Sequence, residues 1–233
     1  MRRETLAAAC AALLALAGCG DSGNDTPKRA ATATPDERAA SAEAELDANR
    51  CTPAEWDGQK TVDLDRPKTK LDPARTYVAT VTTNCGAFEI TLDAERAPRT
   101  GGSFKYLADE GVYDGTLIHR VVPGFVLQGG DPAGNGTGGP GYTVVERPPR
   151  DLVYEQGIVA MAKSEADEPG ESGSQFFVVT GPDGEQLDPE YALLGRITGG
   201  EDVVQKIGAI ITDPRTDLPD PPVVIESVRV AER

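Results

Sequence analysis

The chain has 233 residues, enough for one domain of ordinary size with extensions. It carries 23 Lys and Arg against 38 Asp and Glu, a net charge of -15, and so acidic a chain repels phosphate backbones, which argues against nucleic-acid binding. With 26 Gly, 18 Pro and only 5% aromatics, it favours many turns and short strands.

The N-terminus reads as a targeting segment. Arg2 and Arg3 precede an apolar run from Leu6 to Ala17, which is short for a bilayer span and suits the core of a signal peptide. The run closes on Leu16-Ala17-Gly18-Cys19, which resembles a bacterial lipobox, where small residues precede a cysteine that is lipidated and becomes the mature N-terminus. Residues 1–18 are expected to be removed, leaving a lipidated Cys19. The protein would then be extracytoplasmic, anchored to the bacterial cell membrane through lipid only. An ordinary secretory signal with an incidental cysteine implies the same compartment.

Residues 19–50 are rich in Ala, Thr, Asp and Pro with almost no large apolar side chain, so a disordered tether is expected. Residues 51–76 form a turn-rich lead-in that contains Trp56. Cys10 leaves with the signal segment, and Cys51 and Cys85 remain. An even pair in an oxidising compartment favours a disulfide over two separate buried thiols. With no CxxC and a single histidine, no metal site is expected.

From Tyr77 the pattern becomes β. "YVATVTTN" and "FEITLD" alternate and are separated by Cys85-Gly86, which predicts a hairpin. "APRTGGSFKYLADE", from Ala97, reads as a helix with Pro98 in its first turn and Phe104 and Leu107 on one face, although Gly101-Gly102 weakens it. Strands follow in "TLIHRV", "FVLQGG", "GIVAMA", "SQFFVVT", "YALLGRIT" and "VVIESVRVAE", with a short helix, "EDVVQKIGAI", before the last. Many short strands with two helices predict a mainly β fold over 77–233, a closed antiparallel barrel with helices at its ends.

Familiar catalytic sets are missing. There is no G-x-S-x-G elbow for a serine nucleophile. "GNGTGG" formally fits a dinucleotide loop but runs into Pro140-Gly141 rather than opening a helix, so it reads as a bare loop. What remains is a set of donors among apolar groups. "HRVVPGFVLQGG" holds His119, Arg120, Phe125 and Gln128, and "SGSQFFVVT" adds Gln175 and Phe177, which point the same way in a strand. Met161, Ala162, Leu187 and Tyr191 complete it. A guanidinium and two amides ringed by apolar side chains describe a pocket that takes an apolar ligand and fixes its peptide groups.

"HRVVPGFVLQGGDPAGNGTGGPGY" and "GIVAMAKS" with "GSQFFVVT" resemble the two signature segments of the cyclophilins, the cyclophilin-type peptidyl-prolyl cis-trans isomerases. "APRTGGSFKYLADEGVYDGT" and "LLGRITGGEDVVQKI" resemble the family's first helix and last strand-helix segment. The resemblance implies an eight-stranded antiparallel cyclophilin-like barrel capped by two helices, acting on X-Pro bonds with no cofactor. It implies a catalytic role for Arg120, with Phe125 and Gln128, and substrate contacts at His119, Met161, Ala162, Gln175, Phe177, Leu187 and Tyr191. Proline-containing segments of unfolded or folded proteins are the expected partners, and a monomer the expected form. Lys163 stands where the family commonly has Asn, and the loop after it carries Glu165, Asp167, Glu168 and Glu171. A binding module on the same scaffold with little turnover is the competing expectation.

Overall fold

The hairpin expected around Cys85-Gly86 opens the sheet: β1 (Tyr77–Thr83) pairs with β2 (Gly86–Leu92), Val81 opposite Phe88. The computed structural model describes residues 51–233, and the signal segment, Cys19 and the tether at 19–50 lie outside the described residues. The remaining barrel strands are β3 (Thr116–Val122), β4 (Val126–Asp131), β6 (Ile158–Met161), β8 (Phe176–Val179), β9 (Leu193–Gly199) and β10 (Val223–Glu232). They close in the order β1-β10-β3-β4-β8-β6-β9-β2, every pairing antiparallel, which leaves no sheet edge open. A two-stranded ribbon, β5 (Val144–Val145) with β7 (Glu171–Ser172), sits outside the barrel and was not expected from the sequence.

Side chains alternate across the barrel wall. Val81, Ile90, Leu127, Val159, Val178 and Val228 point into the main core, all with no measurable exposure. Their neighbours Val126, Ala160, Phe177 and Val179 belong to a second apolar cluster on the other face of the same strands. Strand β8 shows the division at two adjacent residues. Phe176 makes an aromatic triad with Phe104 and Tyr113 in the main core, and Phe177 makes another with Tyr154 and Tyr191 in the second cluster.

Helix α1 (Pro98–Asp109) buries Phe104 and Leu107 completely, as its spacing predicts. Its first turn has no side-chain cap of its own. The Glu146 carboxylate accepts from Arg99 N at 3.2 Å and Thr100 N at 2.7 Å instead, an anion placed at the positive helix end. Gly102, which weakens the helix on propensity, permits a close approach: a Cβ there would lie 2.6 Å from the Thr69 carbonyl oxygen. Helix α2 (Glu201–Gly208) starts with Glu201 and Asp202 and buries Val204 and Ile207.

The lead-in is tied down along its length. A disulfide joins Cys51 to Cys85. Backbone N–H groups of Thr52, Lys60, Leu64 and Leu71 donate to the carbonyls of Asn84, Pro132, Pro140 and Pro98, each within 2.9 Å. Residues 51–76 therefore form an arm laid against the barrel, within the same compact unit. Among the described residues no helix is long and apolar enough to cross a membrane.

Candidate active site

Register brings the polar site residues into one row. Arg120 on β3 is paired with Gln128 on β4, Gln128 with Phe177 on β8, and Phe177 with Ala160 on β6. Directly opposed residues put their side chains on the same face. The row thus runs from a guanidinium through an amide to an aromatic ring, on the face that carries the second cluster.

Phe177 is 4% exposed and forms the floor of the apolar part. Phe125, Ala162, Leu187 and Tyr191 pack against this cluster half-buried, so each shows one side to solvent. Phe177 and Tyr191 meet edge to face, with ring centroids 5.3 Å apart and planes at 89°. The backbone of Tyr191 is fixed by Tyr154, whose hydroxyl donates to the Tyr191 carbonyl at 2.7 Å and accepts from its N–H at 3.0 Å. Burial is the main reason that the Tyr154 hydroxyl holds its proton far above the usual tyrosine range.

Met161 is a correction. It is 1% exposed and sits in the main core, where it cannot touch a ligand on the outer face. Met161 and Ala162 were both expected in the pocket, but successive strand residues point to opposite faces. Ala160 and Ala162 are in the second cluster, and Met161 points inward between them. The apolar residue that sequence reasoning missed is Val126, buried beside Phe125 in the second cluster. The alternation of "FVLQ" could have revealed it, since Val126 shares the parity of Gln128.

The amides are organised by a loop. Gln128 donates from Nε2 to Gln175 Oε1 at 3.0 Å, and Gln175 Nε2 donates in turn to the carbonyls of Gly136 and Gly138 at 3.0 and 2.9 Å. This directs one edge of Gln128 to Gln175, and its amide oxygen has no partner among the described residues. The loop itself turns on Asp131, which is fully buried and accepts from the N–H groups of Ala133, Asn135 and Gly136. The arm braces the loop from outside: Gly134, at φ +69°, faces the Trp56 ring, and a Cβ there would lie 2.5 Å from it. Arm residues Asp63 to Arg66 wall a groove that continues from Gln128 and Gln175 past Ala162.

His119 is 7% exposed and lies under this loop near Gly136, so it does not open onto the apolar patch. Neither ring nitrogen makes a well-formed hydrogen bond, although the Leu117 carbonyl lies near enough to favour the protonated ring. Burial, the larger effect, holds its pKa below the ordinary histidine value.

Arg120 is half-open, with its side chain 37% exposed. Its Nε donates to Asp217 Oδ2 at 3.1 Å, and its two terminal nitrogens have no partner among the described residues. Lys163 bridges to Glu190 at 3.4 Å and lies 5.8 Å from the centroid of the Tyr191 ring. Of the acidic loop, Asp167 accepts from Ser164 N and Glu171 from Thr143 Oγ1 and Glu168 N, so Asp167 holds the loop's own shape and Glu171 also ties it to Thr143. Among the described residues no cluster of His, Cys, Asp or Glu could hold a metal ion.

The arrangement can grip an apolar ring and present a guanidinium and an amide to the peptide groups beside it. Residues 78–230 match the family described as cyclophilin type peptidyl-prolyl cis-trans isomerase/CLD. The chain is 41% identical over 178 residues to peptidyl-prolyl cis-trans isomerase B of Streptomyces anulatus, covering 69% of this chain and 99% of that one. It is 36% identical over 178 residues to peptidyl-prolyl cis-trans isomerase A of Mycobacterium tuberculosis, covering 68% and 94%. Among solved structures it resembles a cyclophilin-type isomerase of Cryptosporidium parvum, crystallised in the presence of the dipeptide Ala-Pro. That likeness has a TM-score of 0.61 at 28% identity, over 66% of this chain and 98% of the other. The chain belongs to the cyclophilins and is a peptidyl-prolyl cis-trans isomerase of that type.

Proposed function

We propose that this isomerase accelerates X-Pro isomerisation in extracytoplasmic proteins, with Arg120 as the group that stabilises the twisted amide. The uncatalysed barrier is about 20 kcal/mol because the amide must lose its resonance as the C–N bond turns. During the turn the prolyl nitrogen regains a lone pair and becomes an acceptor. A donor aimed at it binds the transition state and not the planar ground states, which raises turnover rather than affinity. The unpartnered terminal nitrogens of the Arg120 guanidinium supply that donor.

The other roles follow from position. Phe125, Val126, Phe177 and Leu187 hold the proline ring, a rigid apolar anchor. Gln128, its orientation set by Gln175, hydrogen-bonds the peptide on the carbonyl side, so that one half of the amide is held while the other turns. The Ala-Pro dipeptide named for the Cryptosporidium relative supports proline-containing peptides as substrates. The single observation that carries the reading is the register row of Arg120, Gln128 and Phe177 on one outward face.

Extracytoplasmic placement draws support from the Cys51–Cys85 disulfide, a bond that persists in oxidising compartments. The test of the chemistry is Arg120→Ala in a protease-coupled assay on a short X-Pro peptide. A charge-assisted hydrogen bond of about 1.5–3 kcal/mol predicts a fall in kcat/KM of roughly 10- to 100-fold. A binding module with little turnover would show no loss.

A further inference from the structure

The loop between α2 and β10 carries a residue that the isomerase mechanism does not by itself require. Asp217 has φ +58°, the one non-glycine residue of the described chain in the left-handed region. Its backbone is fixed on both sides: its N–H donates to the Asp213 carbonyl at 2.8 Å, and its carbonyl accepts from Val121 N at 2.9 Å. That second bond attaches it to β3 one residue beyond Arg120. The same residue then turns its carboxylate back onto Arg120 Nε at 3.1 Å. Asp213, Thr216 and Leu218 close the loop on itself through short backbone bonds, so Asp217 is presented by a built turn rather than a loose tail.

We propose that Asp217 is a positioning residue for Arg120. This rests on the reading of Arg120 as the donor to the prolyl nitrogen. A guanidinium has five N–H donors in a planar fork, and a free arginine rotates through many rotamers. By holding Nε–H, Asp217 fixes the plane of the guanidinium and leaves both terminal nitrogens unpartnered among the described residues, with the far edge of the fork turned from the carboxylate. The pair is half-exposed, 37% and 39%, so it remains in contact with solvent and leaves the outer edge of the fork accessible. Residue 217 lies in a loop rather than in the strand row of Arg120, Gln128 and Phe177. Because the donor acts only in the transition state, a loss of its alignment lowers kcat and leaves KM nearly unchanged.

Two substitutions separate alignment from loop shape. Asp217→Gly keeps a residue at ease with positive φ and removes the carboxylate. Asp217→Asn tolerates the same backbone and retains an acceptor oxygen. We expect Asp217→Gly to lower kcat about fivefold, the scale that a half-exposed ion pair carries, with KM unchanged. Asp217→Asn should stay within about twofold of the native rate, since a neutral acceptor still holds Nε–H. In the NMR spectrum the Arg120 Nε–H resonance should move upfield and exchange faster in Asp217→Gly and keep most of its protection in Asp217→Asn. Native turnover in Asp217→Gly, or equal losses in both variants, would overturn the proposal. If Arg120→Ala abolishes turnover and Asp217→Gly does not, positioning alone has failed; if Arg120→Ala leaves turnover intact, the donor reading has failed with it.

Discussion

His119 and Arg120 are neighbours in sequence and opposites in environment: one is buried under a loop, the other reaches solvent. Burial makes the folded His119 a weaker base than a free imidazole, Arg120 adds to this, and Asp131 and the Leu117 carbonyl oppose it. With the folded pKa below the unfolded value of about 6.5, the unfolded chain takes the proton first as pH falls. The stabilisation by neutral His119 is complete above about pH 6.5 and declines below it. Melting curves between about pH 7.5 and 5 should show Tm falling in the native protein and a shallower fall in His119→Gln, because the lowered carboxylates Asp114 and Asp167 stay ionised in that window. Parallel falls in the two proteins would assign the loss to other groups.

At the same scale, the sequence revealed the polar groups better than the apolar ones. Arg120, Gln128 and Gln175 are conspicuous because strands seldom carry such side chains without a partner or a cleft. Met161 and Val126 are two apolar residues among many, and only strand parity tells the one on the outer face from the one in the core. Asp217 was not visible at all: its partnership with Arg120 spans 97 positions and depends on a loop conformation.

At the scale of elements, the strands and both helices lie close to where alternation and helical spacing put them. The ribbon of β5 and β7 was invisible because two-residue strands carry no period. The arm was read as a lead-in for a similar reason. Its attachments run from backbone N–H groups to the carbonyls of Pro132 and Pro140, which no side-chain pattern records. It also precedes the family match, which begins at residue 78. The disulfide closes a separation of 34 residues at the start of the arm. The chain-entropy account makes its removal in a Cys51→Ser, Cys85→Ser double variant destabilising by roughly 3–4 kcal/mol. Denaturant unfolding should show a lower midpoint with a slope that is equal or steeper, because the uncrosslinked unfolded chain exposes more surface, and an unchanged midpoint would mean that the arm's hydrogen bonds suffice.

For the whole molecule, closure of the barrel decides where chemistry can occur. A filled interior admits no ligand, so the site must use the outward face, and the arm and loops build walls there. The sequence conveyed this architecture because turn residues and short alternating runs recur at regular intervals, and because two signature segments match one family. Membrane attachment through a lipidated Cys19 is proposed for the full chain. Replacing Cys19 by Ser should move the protein from the membrane fraction to the soluble extracytoplasmic fraction with its isomerase activity intact. Retention at the membrane would place the anchor elsewhere.

The direct test of the role given to Arg120 is exchange spectroscopy on an X-Pro peptide at saturating enzyme, which reads the cis-trans rate in the bound state separately from affinity. Arg120→Ala should slow bound-state exchange by at least about tenfold while the peptide dissociation constant changes less than about threefold. Equal exchange rates in native and Arg120→Ala proteins, or a rate loss matched by an equal loss of affinity, would contradict a donor that acts only on the twisted amide.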